Sequence, residues 1–246
     1  MNQGTIHFSN ELNYFLSKSN KFQDILYLIN DNQSIKHLVE ALGVPHTEIG
    51  IVVINNIETE LSHLIQDGDR IEVLSNYPAE ASEEKLSQEQ SSIEKRGFLL
   101  DNHLGKLATY LRLCGFDVQY RNDYQDIDLV EEEASSGRIL LTRDRGLVMY
   151  RSIQKGYCIR SLDPKEQTIE VLERYNLFAK IQPFRRCLRC NALLEPVEKD
   201  SILDRLRPLT RLYYEEFHIC ARCDQIYWKG SHYERMTKFI KEIKES

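Results

Sequence analysis

Two aspartates, Asp101 in GFLLD and Asp144 in RILLTRD, each close a short apolar run, and they stand 43 positions apart. Four cysteines form two C-x-x-C pairs, Cys187 with Cys190 and Cys220 with Cys223, separated by 29 residues. The two sets suit different metals. Carboxylates are hard oxygen ligands that fit Mg2+ or Mn2+, ions that take few protein oxygens and keep positions for water and phosphate. Carboxylates brought together must protonate or bind a cation. Four thiolates at knuckle spacing fit tetrahedral Zn2+, and a closed four-sulfur site has no open position for water, so that metal is expected to hold the fold and not to hydrolyse anything. Two reversible disulfides are the competing reading, and a chain without a secretory signal disfavours it.

The aspartates can act together only if the chain brings them together. From Gly97 onward short apolar runs alternate with helical segments, the pattern of a parallel sheet with crossover helices. GFLLD is the first strand, and Leu104, Leu107, Ala108 and Leu111 mark one face of the helix after it. Strands are further expected over 117–120, 138–144 and 157–161, with a helix over 127–135 that ends at Gly137. Asp163, Pro164 and Glu166 open another helix, and capping accounts for Asp163. In such a sheet the carboxyl ends of parallel strands share one edge, so Asp101 and Asp144 should converge there. A third acid is expected from Asp126 or Asp128 at the start of the second helix, and spacing does not choose between them. Lys106 and Arg112 follow Asp101, and Arg143 and Arg145 bracket Asp144, cations suited to phosphate. The plain alternatives are that strand-end aspartates only cap helices and that each of these cations is a solvated surface charge.

The chain has 246 residues and a net charge of −6, which at first argues against a polyanionic partner. The charge is unevenly spread. Residues 1–78 hold 4 Lys and Arg against 10 Asp and Glu, whereas residues 96–246 hold 26 against 23. No stretch reaches the ~20 apolar residues of a membrane helix, and the N-terminus lacks the pattern of a signal peptide, so a cytoplasmic protein is expected. Arg185, Arg186, Arg189, Arg222 and Lys229 crowd the cysteines, beside Tyr227, Trp228 and His232. These residues either form a surface for phosphate and base stacking or, for the aromatics, cover a small ribbon core. Cys114 and Cys158 lack ligand spacing and are expected to be buried.

A polar stretch after Pro78 divides the chain. The expected domains are 1–78, a linker at 79–95, a nuclease-like unit at 96–182, a zinc ribbon at 183–236 and a tail at 237–246. In the first unit, strands are expected over 5–8, 22–29, 49–55 and 70–75. A helix capped by Ser34 lies between the second and third. This order, ending in DGDRIEVL, resembles the ubiquitin-like β-grasp modules of sulfur carriers, an α+β fold. Sulfur carriers end in a free Gly-Gly, and this module runs on through Ser75-Asn76-Tyr77-Pro78, so sulfur transfer is disfavoured and a protein partner or a scaffold role is expected.

The segments GFLLDNHLGKLATYLRLCGFD, GRILLTRDRGL, RCLRCNALL and CARCDQIYWKGSHYERM, in that order, closely resemble the Mut-seven C-terminal RNase family. The resemblance covers nearly all of residues 96–236. It implies a PIN-like α/β nuclease with an appended zinc ribbon, preceded in some members by a β-grasp module. It also implies acidic positions at Asp101 and Asp144, a third near Asp126 or Asp128, and ribbon ligands at the four cysteines. The chain departs from the family in having Asn102-His103 after the first aspartate. The expected function is an Mg2+- or Mn2+-dependent ribonuclease acting on RNA, with transfer RNA or another structured RNA among the candidates. The alternative is a non-catalytic RNA-binding or adaptor protein.

Overall fold

The computed structural model describes residues 3–29, 32–77 and 83–245. The first unit is a five-stranded sheet packed on one helix. Its strands are β1 (Gln3–Phe8), β2 (Ile25–Leu28), β3 (Ile49–Ile54), β4 (Ile57–Thr59) and β5 (Arg70–Ser75), with α1 (Ile35–Ala41) between β2 and β3. The sheet order is β2-β1-β5-β3-β4, with β1 and β5 parallel at its centre. Ser34 caps α1 through its hydroxyl, which accepts from the His37 amide. Alternation along β1 and β5 turns Ile6, Phe8, Ile71 and Val73 into a core shared with Leu38 and Val39.

Two features of this unit differ from the sequence expectation. The β3–β4 hairpin turns on Asn55 and Asn56, both with positive φ, so a strand lies where none was expected. The second strand begins at Ile25, because Phe22 sits in a turn with φ 58°.

Residues 78–82, where the linker was expected to start, lie outside the described residues. Most of the rest of that stretch is a helix, α2 (Glu83–Arg96), whose Ile93 is buried in the next core. The second unit follows with β6 (Phe98–Leu100), α3 (Gly105–Leu113), β7 (Val118–Tyr120), α4 (Asp126–Ser136), β8 (Ile139–Thr142), α5 (Arg145–Val148), β9 (Gly156–Cys158) and α6 (Pro164–Arg174). All pairings are parallel and the order is β7-β6-β8-β9. The chain leaves β6 toward β7 on one side and then crosses to β8 on the other. The switch point of the topology therefore lies between β6 and β8. Both faces of this sheet are covered: Phe98, Leu100 and Leu141 face α3 and α6, and Leu99 and Leu140 face α4. Gly137, at φ 64°, ends α4 in the left-handed conformation that glycine adopts without strain.

A three-stranded antiparallel sheet of β10 (Glu195–Val197), β11 (Phe217–Ile219) and β12 (Ile226–Trp228) carries the cysteines, with the short helix α7 (Pro208–Tyr213) inserted between its first two strands. The expected tail is corrected by the structure. Residues 237–244 belong to α8 (Ser231–Lys244), whose Ile240 and Ile243 are buried against α6 and α3. Its apolar positions recur at helical spacing, so it had a core to join.

The first and second units meet along β9. The 3-10 turn His46–Glu48 lies on that strand, and Glu48, 4% exposed, accepts the Cys158 amide at 2.7 Å. His46 Nε2 contacts the Ile153 carbonyl at 2.9 Å, and Arg160 pairs with Glu11 and Glu48. Val148 and Cys158, though they come from the second unit, complete the hydrophobic core of the first. Among the described residues no helix is long and apolar enough to cross a membrane.

Candidate functional site

Asp101 directly follows β6, and Asp144 lies two residues past β8. The two acids therefore flank the switch point at the carboxyl edge of the sheet. One hydroxyl joins them. Thr142 Oγ1 donates to Asp101 Oδ2 at 2.7 Å and accepts the Asp144 amide at 2.9 Å. The Asp101 amide donates to the Leu141 carbonyl at 3.1 Å, which fixes the backbone at Asp101 to the neighbouring strand. Asp101 is 6% exposed, whereas Asp144 is exposed. Asp144 also caps α5, its Oδ1 accepting from the Gly146 amide at 2.7 Å. Thr142 was missed as a candidate in the sequence. Its only signal was a hydroxyl in an otherwise aliphatic strand, ILLT, where a buried polar group needs a partner.

The third acid stays open between two positions of unlike state. Asn102 Nδ2 donates to the Tyr124 carbonyl at 3.0 Å, which draws the start of α4 toward the residue after Asp101. Asp126 is the exposed first residue of α4. Asp128, half-buried, accepts the Gln125 amide at 3.0 Å and so belongs to a capping box. Asn102 Oδ1 is buried without a hydrogen-bond partner, an orphaned oxygen beside Asp101. Carboxylates and a neutral amide oxygen are donors of the kind a divalent ion takes while it keeps most of its ligands as water and phosphate.

The four candidate phosphate cations separate into different states. Arg143 is exposed and makes no ion pair among the described residues, and Lys106 is exposed over the Tyr110 ring at 5.1 Å. Arg145 reaches the first unit, donating to the Phe15 carbonyl at 3.0 Å. Arg112 is corrected: it is 5% exposed, and its guanidinium donates to the carbonyls of Val118, Leu188 and Arg189. It fastens the first cysteine knuckle to β7 and has no free face for a substrate. Asp117 works beside it, binding Arg138, Arg186 and the Asn191 amide group.

Cys187, Cys190, Cys220 and Cys223 place one sulfur each within 4.8 Å of the others, and among the described residues they are the one group of three or more acidic, histidine or cysteine side chains so assembled. Cys187 and Cys223 sulfurs are 3.5 Å apart, and those of Cys190 and Cys220 are 3.3 Å apart. A tetrahedron with Zn–S bonds of ~2.3 Å needs sulfurs at roughly 3.8 Å, so a small relaxation accommodates the ion. Burial works against ionising Cys187, but the Tyr227 hydroxyl and the backbone amides of Cys190 and Arg189 outweigh it and bring this thiol down to about 6. The Tyr227 hydroxyl lies 3.2 Å from Cys187 Sγ and accepts the Leu188 amide at 3.1 Å, which ties this half-buried aromatic to the cysteine loop. Trp228 is 38% exposed and lines a neighbouring groove with Phe184 and Tyr233. Cys114 and Cys158 are buried thiols, both pushed by that burial up to about 12.

The model of the Mut7-C RNAse domain matches residues 96–240, more than half of the chain. The chain belongs to the Mut7-C RNAse domain family. The Mut7-C ubiquitin model matches residues 1–83, so the β-rich first unit is the ubiquitin-like domain found with it. No curated protein and no solved structure matches the chain. Membership in Mut7-C makes this a protein of nuclease type at the family level, with RNA as the general substrate. Its four-cysteine cluster can bind zinc.

Proposed function

We propose that this Mut7-C protein is a ribonuclease that hydrolyses RNA phosphodiester bonds with Mg2+ or Mn2+ held by Asp101, Asp144 and either Asp126 or Asp128. The observation that carries the reading is the Asp101–Thr142–Asp144 connection at the switch point between β6 and β8. A divalent ion at that edge would polarise the phosphate and lower the pKa of a bound water. The chain's own residues do the rest. Thr142 holds the buried Asp101 carboxylate in one rotamer, and the α5 amide does the same for Asp144. Arg143 and Lys106 offer charge to phosphate oxygens, and Asp126, unencumbered by a cap bond, is the better third ligand. Zn2+ on the four cysteines orders the ribbon and, through Arg112, its seat on β7. The units would divide at 78 and 96 as the sequence suggests, with RNA as partner and the cytoplasm as location.

The experiment is Asp144→Asn in an RNA cleavage assay with Mn2+. Cleavage should disappear while the circular dichroism spectrum is kept, since asparagine can still cap α5. Unchanged cleavage rejects the reading. A second reading is favoured by one observation: no three carboxylates lie as close together as the cysteine sulfurs among the described residues. In that case the protein binds RNA without cutting it. Pooled RNA incubated with Mn2+ and with EDTA then gives the same gel, with salt-sensitive binding in both.

A further inference from the structure

The ubiquitin-like domain is acidic, and its few cations are not scattered. Of the 4 basic residues in positions 1–78, two, Lys18 and Lys21, belong to one loop between Phe15 and Ile25. Neither makes an ion pair among the described residues, whereas Lys36 faces Glu40 at 4.0 Å. Between them and β2 stands Phe22, a residue 70% exposed whose backbone is held at φ 58°. A bulky side chain is costly in that left-handed region, and such strain persists only where the surroundings impose it. Here a buried asparagine imposes it. Asn13, 2% exposed, donates to the carbonyls of Phe8 and Ser9 and accepts the Phe22 amide at 2.6 Å. The loop is thus built to present an aromatic ring to solvent.

The root of the loop touches the candidate active edge. Arg145, the residue after Asp144, donates to the Phe15 carbonyl at 3.0 Å, and the unpaired Arg143 lies on the other side of Asp144. Lys18, Lys21 and the exposed Phe22 thus belong to a loop whose root is bound by the residue that follows Asp144. We propose that the Lys18–Phe22 loop is a binding site for single-stranded RNA, in which a base stacks on Phe22 and the adjoining phosphates meet Lys18 and Lys21. The strand held there continues to the Asp101–Asp144 edge, so the proposal rests on the reading of that edge as the cleavage site. A protein ligand would make use of Phe22 alone. The concentration of a domain's scarce cations beside that ring, in a loop rooted at Arg145, matches a phosphate chain.

The test is fluorescence anisotropy of the full chain with a 5′-fluorescein oligouridylate of about 15 nucleotides, in EDTA so that nothing is cleaved. Phe22→Asn keeps a residue that tolerates the left-handed backbone and removes the ring. Phe22→Asn and Lys18→Ala/Lys21→Ala should each weaken binding by about 5- to 20-fold. The double lysine variant should also reduce the slope of log affinity against log salt by about 1.4. Lys36→Ala should bind as wild type, and all variants should melt together. Wild-type affinity in both loop variants overturns the proposal, as does an equal loss in Lys36→Ala. If the loop variants lose binding while wild type cuts no RNA in Mn2+, the nuclease reading fails and the RNA site stands. If wild type cuts and the loop variants bind unchanged, the loop proposal alone fails.

Discussion

Glu48 of the ubiquitin-like domain accepts the Cys158 amide of the nuclease-type domain at 2.7 Å, in the manner of a missing neighbour strand. β9 is the last strand of its sheet, so its outer amides would otherwise face water or another chain. The carboxylate is buried, with Arg160 at 3.6 Å, and Arg174 and Glu170 also act on it.

This buried acid makes the contact pH-dependent. Burial, only partly offset by the Cys158 amide and the two arginines, pushes Glu48 up to about 7. The folded protein therefore binds a proton that the unfolded chain has released, between its ordinary 4.5 and about 7. Stability should fall as pH rises through that window and level off above it, a change of a few kcal/mol at most. His46 lies at the same contact, so thermal unfolding across this range is to be compared with Glu48→Gln, which keeps an acceptor and cannot ionise. Parallel curves for the two proteins would refute the assignment.

The Thr142 hydroxyl is expected to matter more than its size. Thr142→Val strips the buried Asp101 carboxylate of a donor and should cost about 1–3 kcal/mol in urea unfolding, together with cleavage. Thr142→Ser should restore both. A valine variant with full activity would show that the acids do not need their link.

Arg112 separates structure from substrate binding. Arg112→Ala leaves three carbonyls without their donor and should lower stability by roughly 3 kcal/mol. The salt dependence of RNA binding should not change. A flatter salt slope at wild-type stability would return this residue to the phosphate contacts.

The cysteine loop can be tested without touching a ligand. Tyr227→Phe removes the hydroxyl beside Cys187 and should weaken zinc binding by about 10- to 100-fold, read by competition with a chromophoric chelator. Chelation should also release α8, because that helix follows β12 directly and its anchor residues are Ile240 and Ile243. Limited proteolysis that leaves 231–244 intact after zinc removal would contradict this.

The legible parts of the sequence were those where one local rule sufficed. That β6 to β9 form a parallel sheet followed from apolar runs between helices, Ser34 and Asp163 cap as their types require, and the cysteine spacing announced its cluster. What stayed hidden depended on distant partners. Arg112 looked like a phosphate-binding or surface cation on the helix after Asp101, and only the arrival of Leu188 and Arg189, more than 70 residues later, uses it up. Phe22 looked like the start of a strand, because nothing local reveals that Asn13 will hold its amide. The end of the chain read as a tail because an amphipathic helix shows its purpose only when its partner surface is known.

The ubiquitin-like domain borrows Val148 and Cys158 for its core. During synthesis at roughly 5–20 residues per second, its own strands leave the ribosome several seconds before those two side chains do. The earliest-made part of the polypeptide therefore waits, with part of its apolar interior open, for a segment translated much later. Its nascent form is a natural client for chaperones, and expressing it by itself would give a protein that lacks part of its own interior.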